Sequence, residues 1–289
     1  MSAEISKSDY CIVYNQKSGR GHNKGDAATL SKKLGGINVF PISQYEQPNV
    51  SQRPIQIIYA GDGTISSISN RERESGEKPL FIIAGGGSEN HLRKVLTQRG
   101  HVINTTNIFS GEALRDSVCQ YYPSIVEGYG RFLVNAGFGT IETTWAKHLE
   151  KIREYLPAFV ASYIAYMSAL IELFPDNISL NTVVTNNPTG PLKIPIDSKL
   201  FDEQVLQIEI EGKPFDKFVK SLVAPIFWRL GITMPKGLFR VAVGAELDMA
   251  INSSGVVNLD GENVKVSGDL KSTRLVRSKE SLQMVALGR

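Results

Sequence analysis

The chain of 289 residues is 42% hydrophobic and 21% charged, which is ordinary for a globular protein and excludes wholesale disorder. Its length predicts about two domains. The net charge of +3 is too small to indicate nucleic-acid binding, so we expect no nucleic-acid partner. Two distant cysteines, Cys11 and Cys119, exclude a disulfide framework and favour a reducing compartment, and the amino terminus lacks the apolar run of a signal peptide. We therefore expect a cytoplasmic protein.

The first half of the chain alternates strand-like and helix-like segments. Apolar runs rich in Ile and Val predict four strands, at residues 10–14, 37–42, 55–60 and 80–84. After the first strand, Asp26 is predicted to cap a helix that Gly35 and Gly36 end. Apolar strands that alternate with helices are typical of a parallel sheet covered on both faces. The sequence thus predicts an α/β domain.

The pattern changes after residue 122. A largely helical stretch, residues 144–174, precedes short runs in which apolar and polar residues often alternate, at residues 183–185, 205–210, 241–243, 250–251, 264–266 and 282–285. Such alternation is typical of an antiparallel sheet with one face in water. We therefore place a boundary near residue 125 and predict two domains, residues 1–125 and 126–289.

Residues 156–174 are mostly apolar, but they include Pro157 and Glu172, which fits a buried or interface-lying helix better than a membrane span. A basic cluster precedes this helix, formed by Lys147, His148, Lys151 and Arg153. The cluster could approach anionic lipid headgroups at a membrane surface. It could equally be an ordinary solvated helix face.

Three glycine-rich turns each follow a predicted strand. In the first, at residues 15–21, small residues let the backbone approach a phosphate, and the Ser18 hydroxyl and the Lys17 ammonium can donate hydrogen bonds to it. The Gly-Lys-Ser/Thr ending of a Walker A loop is absent. A plain solvated turn is the alternative interpretation.

The second turn is Gly61-Asp62-Gly63-Thr64. A carboxylate between two glycines at the carboxyl end of a parallel strand faces the crevice where ligands bind in open α/β sheets. Asp62 could coordinate Mg²⁺ or accept the proton of an attacking hydroxyl. The alternative is a simple Asp-Gly turn between strand and helix.

The third turn, Gly85 to Gly87, again ends a strand and precedes a helix that starts near His91. Ser88 is a candidate helix cap and Asn90 a candidate nucleotide contact. Three such turns on three parallel strands should meet at one edge of one sheet. Together they predict a nucleotide site there.

These turns resemble the catalytic domain of the diacylglycerol kinase and sphingosine kinase superfamily. The family's motifs occur in order, as Asn15-Gln16-Lys17-Ser18-Gly19, Gly61-Asp62-Gly63-Thr64 and Gly86-Gly87-Ser88-Glu89-Asn90. Later matches extend the resemblance over nearly the whole chain: Phe138-Gly139 after Asn135, the stretch 184–202 ending in Asp202, and Asp260-Gly261-Glu262.

The resemblance implies an amino-terminal nucleotide-binding α/β domain and a carboxy-terminal antiparallel β-sandwich that binds lipid, with the active site in the cleft between them. It implies Mg²⁺-dependent transfer of the γ-phosphate of ATP to the hydroxyl of a lipid such as diacylglycerol or a sphingoid base. The catalytic carboxylates would be Asp62, Asp260 and Glu262, and Asp202 would serve a structural Mg²⁺ site. The residues expected to bind the nucleotide are Asn15, Lys17, Ser18, Gly19, Gly61, Gly63, Thr64, Gly87, Ser88 and Asn90. A lipid alcohol and a peripheral membrane contact are the expected partners, and a homodimer is left open.

The sequence departs from the family pattern at four positions. Ala60 and Gln16 replace a glycine and a proline, which are mild changes. Glu89 places a negative charge where phosphates should lie, and Glu203 after Asp202 puts the structural Mg²⁺ site in doubt. Two alternatives follow: an NAD kinase-like enzyme, which shares the Gly-Asp-Gly turn, and a nucleotide- or lipid-binding pseudokinase.

Overall fold

The computed structural model describes residues 5–18, 21–76, 78–87, 90–152, 155–184, 205–230, 240–251, 254–265 and 271–288. The chain forms two compact units, residues 1–122 together with 279–289, and residues 123–278. Each unit is described by itself.

The strands, in chain order, are β1 (Tyr10–Tyr14), β2 (Val39–Pro41), β3 (Ile55–Ala60), β4 (Leu80–Gly86), β5 (Val102–Ile103), β6 (Cys119–Tyr121), β7 (Ser124–Val126), β8 (Gly130–Phe132), β9 (Asn135–Gly137), β10 (Asn181–Val184), β11 (Val205–Glu209), β12 (Arg240–Gly244), β13 (Glu246–Ala250), β14 (Val256–Leu259), β15 (Glu262–Lys265), β16 (Ser272–Arg277) and β17 (Leu282–Leu287). The helices are α1 (Asn23–Lys33), α2 (Pro48–Ser51), α3 (Asp62–Ser75), α4 (His91–Gln98), α5 (Gly111–Ser117), α6 (Thr140–Ile152), α7 (Ala158–Leu173) and α8 (Pro214–Leu230).

The first unit is built on one sheet, with strand order β2-β1-β3-β4-β17-β5. All pairs along this path are parallel, and β6 adds to β17 in the antiparallel sense. Every residue of β1 is buried, as expected for a strand with helices on both of its faces. The predicted α/β class of this domain is confirmed.

Strand β17 belongs to the sheet of the first unit, and the prediction that it belongs to the second domain is wrong. Residues 282–285 were assigned to the antiparallel second domain, whereas β17 enters the first sheet between β4 and β5. The physical reason is burial on both faces: Met284, Val285 and Ala286 are all fully buried, and such a continuous apolar run suits a central parallel strand. Only Gln283 had suggested an alternating pattern, and its side chain is exposed.

Helix α1 also begins earlier than predicted. It starts at Asn23, inside the segment assigned to the first loop, so Asp26 lies within the first turn and is not the cap. Asn23 is almost completely buried, which is unusual for a polar residue and can be explained by its hydrogen bonds, described below. Gly35 and Gly36 end the helix as predicted, both with positive φ.

The second unit consists of two antiparallel sheets, in the orders β12-β11-β10-β9-β14-β15 and β13-β16-β7-β8. They share one hydrophobic core: Ala136, Val183 and Val257 come from the first sheet, and Phe132 and Leu275 come from the second. Two antiparallel sheets around one core form a sandwich, as the family resemblance implied.

Helices α6 and α7 pack against each other in the second unit. Lys147 and His148, from the predicted basic cluster, lie 3.6 Å and 2.7 Å from the Glu172 carboxylate of α7, so these two residues tie the helices together. Arg153 is outside the described residues. Within the described ranges, no helix has the length and apolar character needed to cross a membrane.

Candidate functional site

The order of strands identifies the point of the first sheet at which a ligand is expected. From β1 the chain moves outward to β2, and from β3 it moves in the opposite direction to β4. The loops after β1 and β3 therefore flank a topological switch point, where open α/β sheets bind ligands. These loops are the first and second glycine-rich turns of the sequence.

One buried amide joins the three strand ends at this point. The Asn23 Nδ2 group donates to the carbonyl oxygens of Asn15 at 3.0 Å, Tyr59 at 3.3 Å and Gly86 at 3.0 Å. These carbonyls lie at or just after the ends of β1, β3 and β4. A Cβ atom on Gly86 would come within 2.7 Å of the Asn23 amide, so only glycine fits beside it. Sequence reasoning missed Asn23, because no local pattern indicates that a polar side chain will donate hydrogen bonds to carbonyl groups distant in the sequence.

The three glycine-rich turns touch one another. Asn15 Nδ2 donates to Thr64 Oγ1 at 2.8 Å, which joins the first turn to the second. A Cβ atom on Gly87 would lie 2.6 Å from the Gly61 Cα atom, so the backbones of the second and third turns are in contact. A Cβ atom on Gly61 would lie 3.9 Å from Ser18 Oγ. The turns therefore meet as the parallel topology predicted.

The amino terminus of α3 lies at this meeting point. The helix begins at Asp62, so the backbone N–H groups of Asp62, Gly63 and Thr64 lie in its first turn and have no partner within the helix. They give this end of the helix a partial positive charge. Lys17 is exposed in the adjacent turn, where its backbone N–H donates to Asn15 Oδ1 at 2.9 Å. The surroundings suit an anion.

Asp62 connects two helices. Its carboxylate accepts hydrogen bonds from the backbone N–H groups of His91 at 2.8 Å and Leu92 at 3.3 Å, at the start of α4. It thus caps a helix to which it does not belong, and the negative charge is favourable there. Burial raises the pKa of the Asp62 carboxyl, while the charge of His91 and the two backbone hydrogen bonds lower it by less.

Asn90 closes the third turn on itself. Its Oδ1 accepts from the Gly87 N–H at 2.8 Å, and its Nδ2 donates to the Gly87 carbonyl at 2.9 Å. Its backbone has φ of +51°, a left-handed conformation that asparagine tolerates better than most residues. The predicted nucleotide contact therefore has a structural role in holding Gly87 against Gly61. Gly19, Ser88 and Glu89 lie outside the described residues.

In the second unit, Asp260 organises a neighbouring turn. Its carboxylate accepts from the backbone N–H groups of Leu133, Val134 and Asn135 at 2.7 to 2.9 Å, and the residue is only 9% exposed. Asp260 and Gly261, with φ of +49° and +93°, form the two-residue turn between β14 and β15. Two positive φ values at an Asp-Gly pair are typical of a tight hairpin turn.

Glu262 differs from the other two predicted carboxylates. It is the first residue of β15, pairs across the hairpin with Leu259 and is exposed. The structure thus brings Asp260 and Glu262 together in one hairpin, while Asp62 belongs to the other unit. The predicted metal ligand Asp202 and its neighbour Glu203 lie outside the described residues. Among those that are described, no group of three or more His, Cys, Asp or Glu side chains could hold a metal ion.

A further buried carboxylate was missed by sequence reasoning. Glu142 Oε1 accepts from the Asn181 N–H at 3.0 Å and from the Thr182 hydroxyl. Its Oε2 atom is buried and has no hydrogen-bond partner within the described part of the chain. Burial raises the pKa of this carboxyl. The only sequence signal was a pair of glycines, Gly137 and Gly139, which lack the Cβ atoms that would collide with Glu142.

No protein-family model matches the chain. No curated protein matches it. Two solved structures from Bacillus anthracis strain Sterne, both provisionally described as a diacylglycerol kinase, match with a TM-score of 0.58 and 13% identity, over 96% of this chain and 97% of theirs. A third, of diacylglycerol kinases from the same strain, matches with a TM-score of 0.57 and 14% identity, over 96% of each chain.

This chain has the fold of these diacylglycerol kinase structures. The resemblance inferred from the motifs is therefore confirmed at the level of the fold, over nearly the full length of both chains. At such low identity the likeness establishes the fold alone.

We expect Asn23→Ala to lower the free energy of unfolding by about 1–3 kcal/mol, because three carbonyl groups lose their shared donor in a buried site. Urea unfolding of the variant measures this change. Asn38→Ala, which removes an exposed amide just after the same helix, is the matched control and should be nearly neutral. Equal stability of the two variants would show that the Asn23 bridge contributes nothing.

Glu142→Gln should stabilise the protein increasingly as pH rises. A carboxyl whose folded pKa exceeds its ordinary value of 4.5 binds a proton more strongly in the folded state, so stability is lost as pH rises through that window. The glutamine variant has no such loss. Unfolding measured between about pH 4 and pH 8 should therefore show a growing difference from wild type. The exposed Glu150→Gln on the same helix is the control, and a pH-independent difference for Glu142→Gln would contradict the burial argument.

Proposed function

We propose that the protein is an ATP-dependent lipid kinase, which transfers the γ-phosphate of ATP to the hydroxyl of a lipid such as diacylglycerol or a sphingoid base. The observation that carries the proposal is the meeting of three glycine-rich turns beside the amino terminus of α3, at the switch point of a parallel sheet. The shared fold with diacylglycerol kinase structures supports the choice of a lipid acceptor.

The residues at the meeting point fit the phosphates of ATP. The contact between Gly61 and Gly87 leaves no side chain between the turns, so a phosphate can approach the backbone closely. The Ser18 hydroxyl, the Lys17 ammonium and the N–H groups of Gly63 and Thr64 would donate to its oxygens. We place Mg²⁺ on the phosphates, where it would neutralise part of their charge.

The three predicted carboxylates divide into two roles in this proposal. Asp62 and Asp260 already accept two and three backbone N–H groups, so we assign them to positioning: Asp62 fixes the third turn beside the second, and Asp260 fixes the 133–135 turn. Glu262 is exposed on the same hairpin as Asp260. We therefore assign Glu262 as the proton acceptor.

In the proposed reaction the lipid hydroxyl oxygen forms a bond to the γ-phosphorus. The bond between that phosphorus and the bridging oxygen of ADP breaks, and ADP leaves with the bonding electrons. The hydroxyl proton passes to the Glu262 carboxylate and then to solvent. In this proposal Glu262 is therefore the one carboxylate of the three that takes part in the proton transfer.

The proposed setting is the cytoplasmic surface of a membrane, approached peripherally. Large apolar side chains are exposed on or beside α7 and α8, including Ile171 at 71% and Phe215 at 66%. Exposed apolar side chains on helices suit contact with a lipid surface from which the acceptor is taken. A homodimer is compatible with this setting.

A nucleotide-binding protein without kinase activity is the second candidate. Asp62 and Asp260 both have structural hydrogen bonds that would preserve them without catalysis. This second candidate predicts that the protein binds ADP but transfers no phosphate from ATP to any acceptor. An NAD kinase-like enzyme, the third alternative, predicts transfer to NAD in place of lipid.

We expect Glu262→Gln to lower kcat for lipid phosphorylation by about 10²–10⁴-fold, the usual contribution of a general base, without changing the affinity for ADP. The measurement is transfer of radiolabel from ATP into a lipid extract, with NAD as a parallel acceptor. Glu150→Gln, another exposed glutamate of the second unit, is the matched control and should be fully active. Wild-type turnover by Glu262→Gln would remove its assignment as the proton acceptor.

A further inference from the structure

The second unit contains a polar cavity of about 190 Å³ beside β12 and β13. These two strands are joined by Ala245 alone but belong to different sheets of the sandwich. They therefore diverge from a tight corner, where a Cβ atom on Gly244 would lie 3.0 Å from the Glu246 carbonyl oxygen. Ala242 of β12 and Asp248 of β13 both line the cavity. We call this space, opened by the divergence of the two strands, the wedge.

The face of the six-stranded sheet that lines the wedge is polar, although a sandwich interior is normally apolar. Asn181 lies two residues before Val183, which is fully buried in the core between the sheets, so the two side chains share a face of β10. Gln207 and Glu209 pair with Val183 and Asn181, which places them on the same face of β11. Ile208, between them, packs on the other face with the helices. Polar side chains thus replace the apolar core at this end of β10 and β11.

Several polar groups of the wedge are not used by the protein itself. Asn181 is fixed in place, because its Oδ1 accepts from Gln207 Nε2 at 3.1 Å and its backbone N–H donates to the buried Glu142 carboxylate at 3.0 Å. Within the described part of the chain, Asn181 Nδ2, Gln207 Oε1 and the carboxylates of Glu209 and Asp248 form no hydrogen bond or ion pair. These donor and acceptor groups are therefore available to a ligand.

The mixture of donors and acceptors indicates the class of ligand. Arg240 adds a guanidinium, which also pairs with Glu211 at 3.1 Å. A simple anion would be repelled by Glu209 and Asp248, and a metal ion would be repelled by Arg240. No group of three ligating His, Cys, Asp or Glu side chains exists among the described residues either. A hydroxyl group both donates and accepts, so it can bind the amides, the carboxylates and the guanidinium alike.

The wedge is separate from the hairpin that carries the proposed proton acceptor. The Asp260 backbone N–H donates to the Asn135 carbonyl at 2.9 Å. Asn135 lies opposite Val184, which is at the other end of β10 from Asn181. The wedge also lies at β10 to β12, whereas the hairpin of β14 and β15 forms the opposite edge of the same sheet. A ligand in the wedge would therefore not occupy the Glu262 position.

We propose that the wedge binds a small polyhydroxylated molecule of monosaccharide size, either as a free solute or as the headgroup of a lipid. The carboxylates of Glu209 and Asp248 accept hydrogen bonds from its hydroxyls, and Asn181 Nδ2 and Arg240 donate to them. The volume corresponds to about six water molecules of roughly 30 Å³ each, which is enough for a sugar ring but not for a lipid chain. This site does not depend on the proposed kinase reaction.

Saturation-transfer NMR on the full chain tests the proposal, with glucose and myo-inositol as probes. At least one of them should bind the wild-type protein, and cyclohexanol, which has a ring but a single hydroxyl, should not. Glu209→Gln should weaken binding about tenfold, because the ligand hydroxyls lose a charged acceptor. Glu150→Gln, which changes an exposed glutamate of the same unit, is the matched control and should bind the sugar normally.

A second variant fills the wedge without touching the core. Ala250 lines the wedge from β13 and is exposed, so Ala250→Trp should fold normally and leave no room for the ring of the sugar. Binding should be lost while the thermal unfolding temperature stays near that of the wild-type protein. Ala28→Trp makes the same change at an exposed position of the other unit and should leave sugar binding unchanged.

Vesicles distinguish the two sources of the ligand. Co-sedimentation with phosphatidylcholine vesicles that requires added glucosylceramide, and is lost in Ala250→Trp, would identify a lipid headgroup. Binding of the free sugar without such co-sedimentation would identify a solute, and either result supports the proposal.

Three results would overturn the inference: a wild-type protein that binds neither the free sugars nor the glycolipid vesicles, wild-type sugar affinity in both Glu209→Gln and Ala250→Trp, or binding of Ca²⁺ in the wedge without binding of sugar. None of these results bears on the lipid phosphorylation assay, so the proposed function is tested separately.

Discussion

The Asn23 side-chain amide is the constraint on which the candidate site depends. The two N–H bonds of Asn23 Nδ2 donate to three carbonyl oxygens, at the ends of β1, β3 and β4. This one amide group therefore fixes the spacing of the three loops that follow these strands. The group is buried, and the alternative to these bonds is an unpaired amide and three poorly paired carbonyls in an apolar setting. The close contact of Gly61 with Gly87 follows from this spacing, because the strands that precede these residues are held together by it.

Four carboxylates, those of Asp62, Asp260, Glu142 and Glu262, show how one functional group serves different purposes. Asp62 and Asp260 are both satisfied by backbone N–H groups, and each thereby holds a loop in place. Glu142 has one oxygen satisfied and one without a hydrogen bond among the described residues, and burial raises its pKa. Ionisation of such a group costs stability unless something compensates for it. Exposed Glu262 has no comparable burial, which is why we give it the proton transfer in the proposed reaction.

Local patterns were sufficient to predict much of this architecture. The continuous apolar runs of β1, β3 and β4 and the glycines after them identified a parallel sheet with three loops at one edge, because parallel strands must end at the same edge. Long-range contacts were not predictable in the same way. The capping of α4 by Asp62 joins residues 29 positions apart in sequence, and the place of β17 depends on its pairing with β4, which lies about 200 residues earlier in the chain. Neither leaves a periodic signal in the sequence.

Hydrogen–deuterium exchange with and without Mg²⁺ and ADP tests the central claim, that the three turns form one nucleotide site. The account predicts simultaneous protection of residues 15–18, 61–64 and 85–87, because one ligand in contact with all three turns would shield their backbone amides from exchange. Protection confined to a single turn, or found only in the second unit, would contradict it.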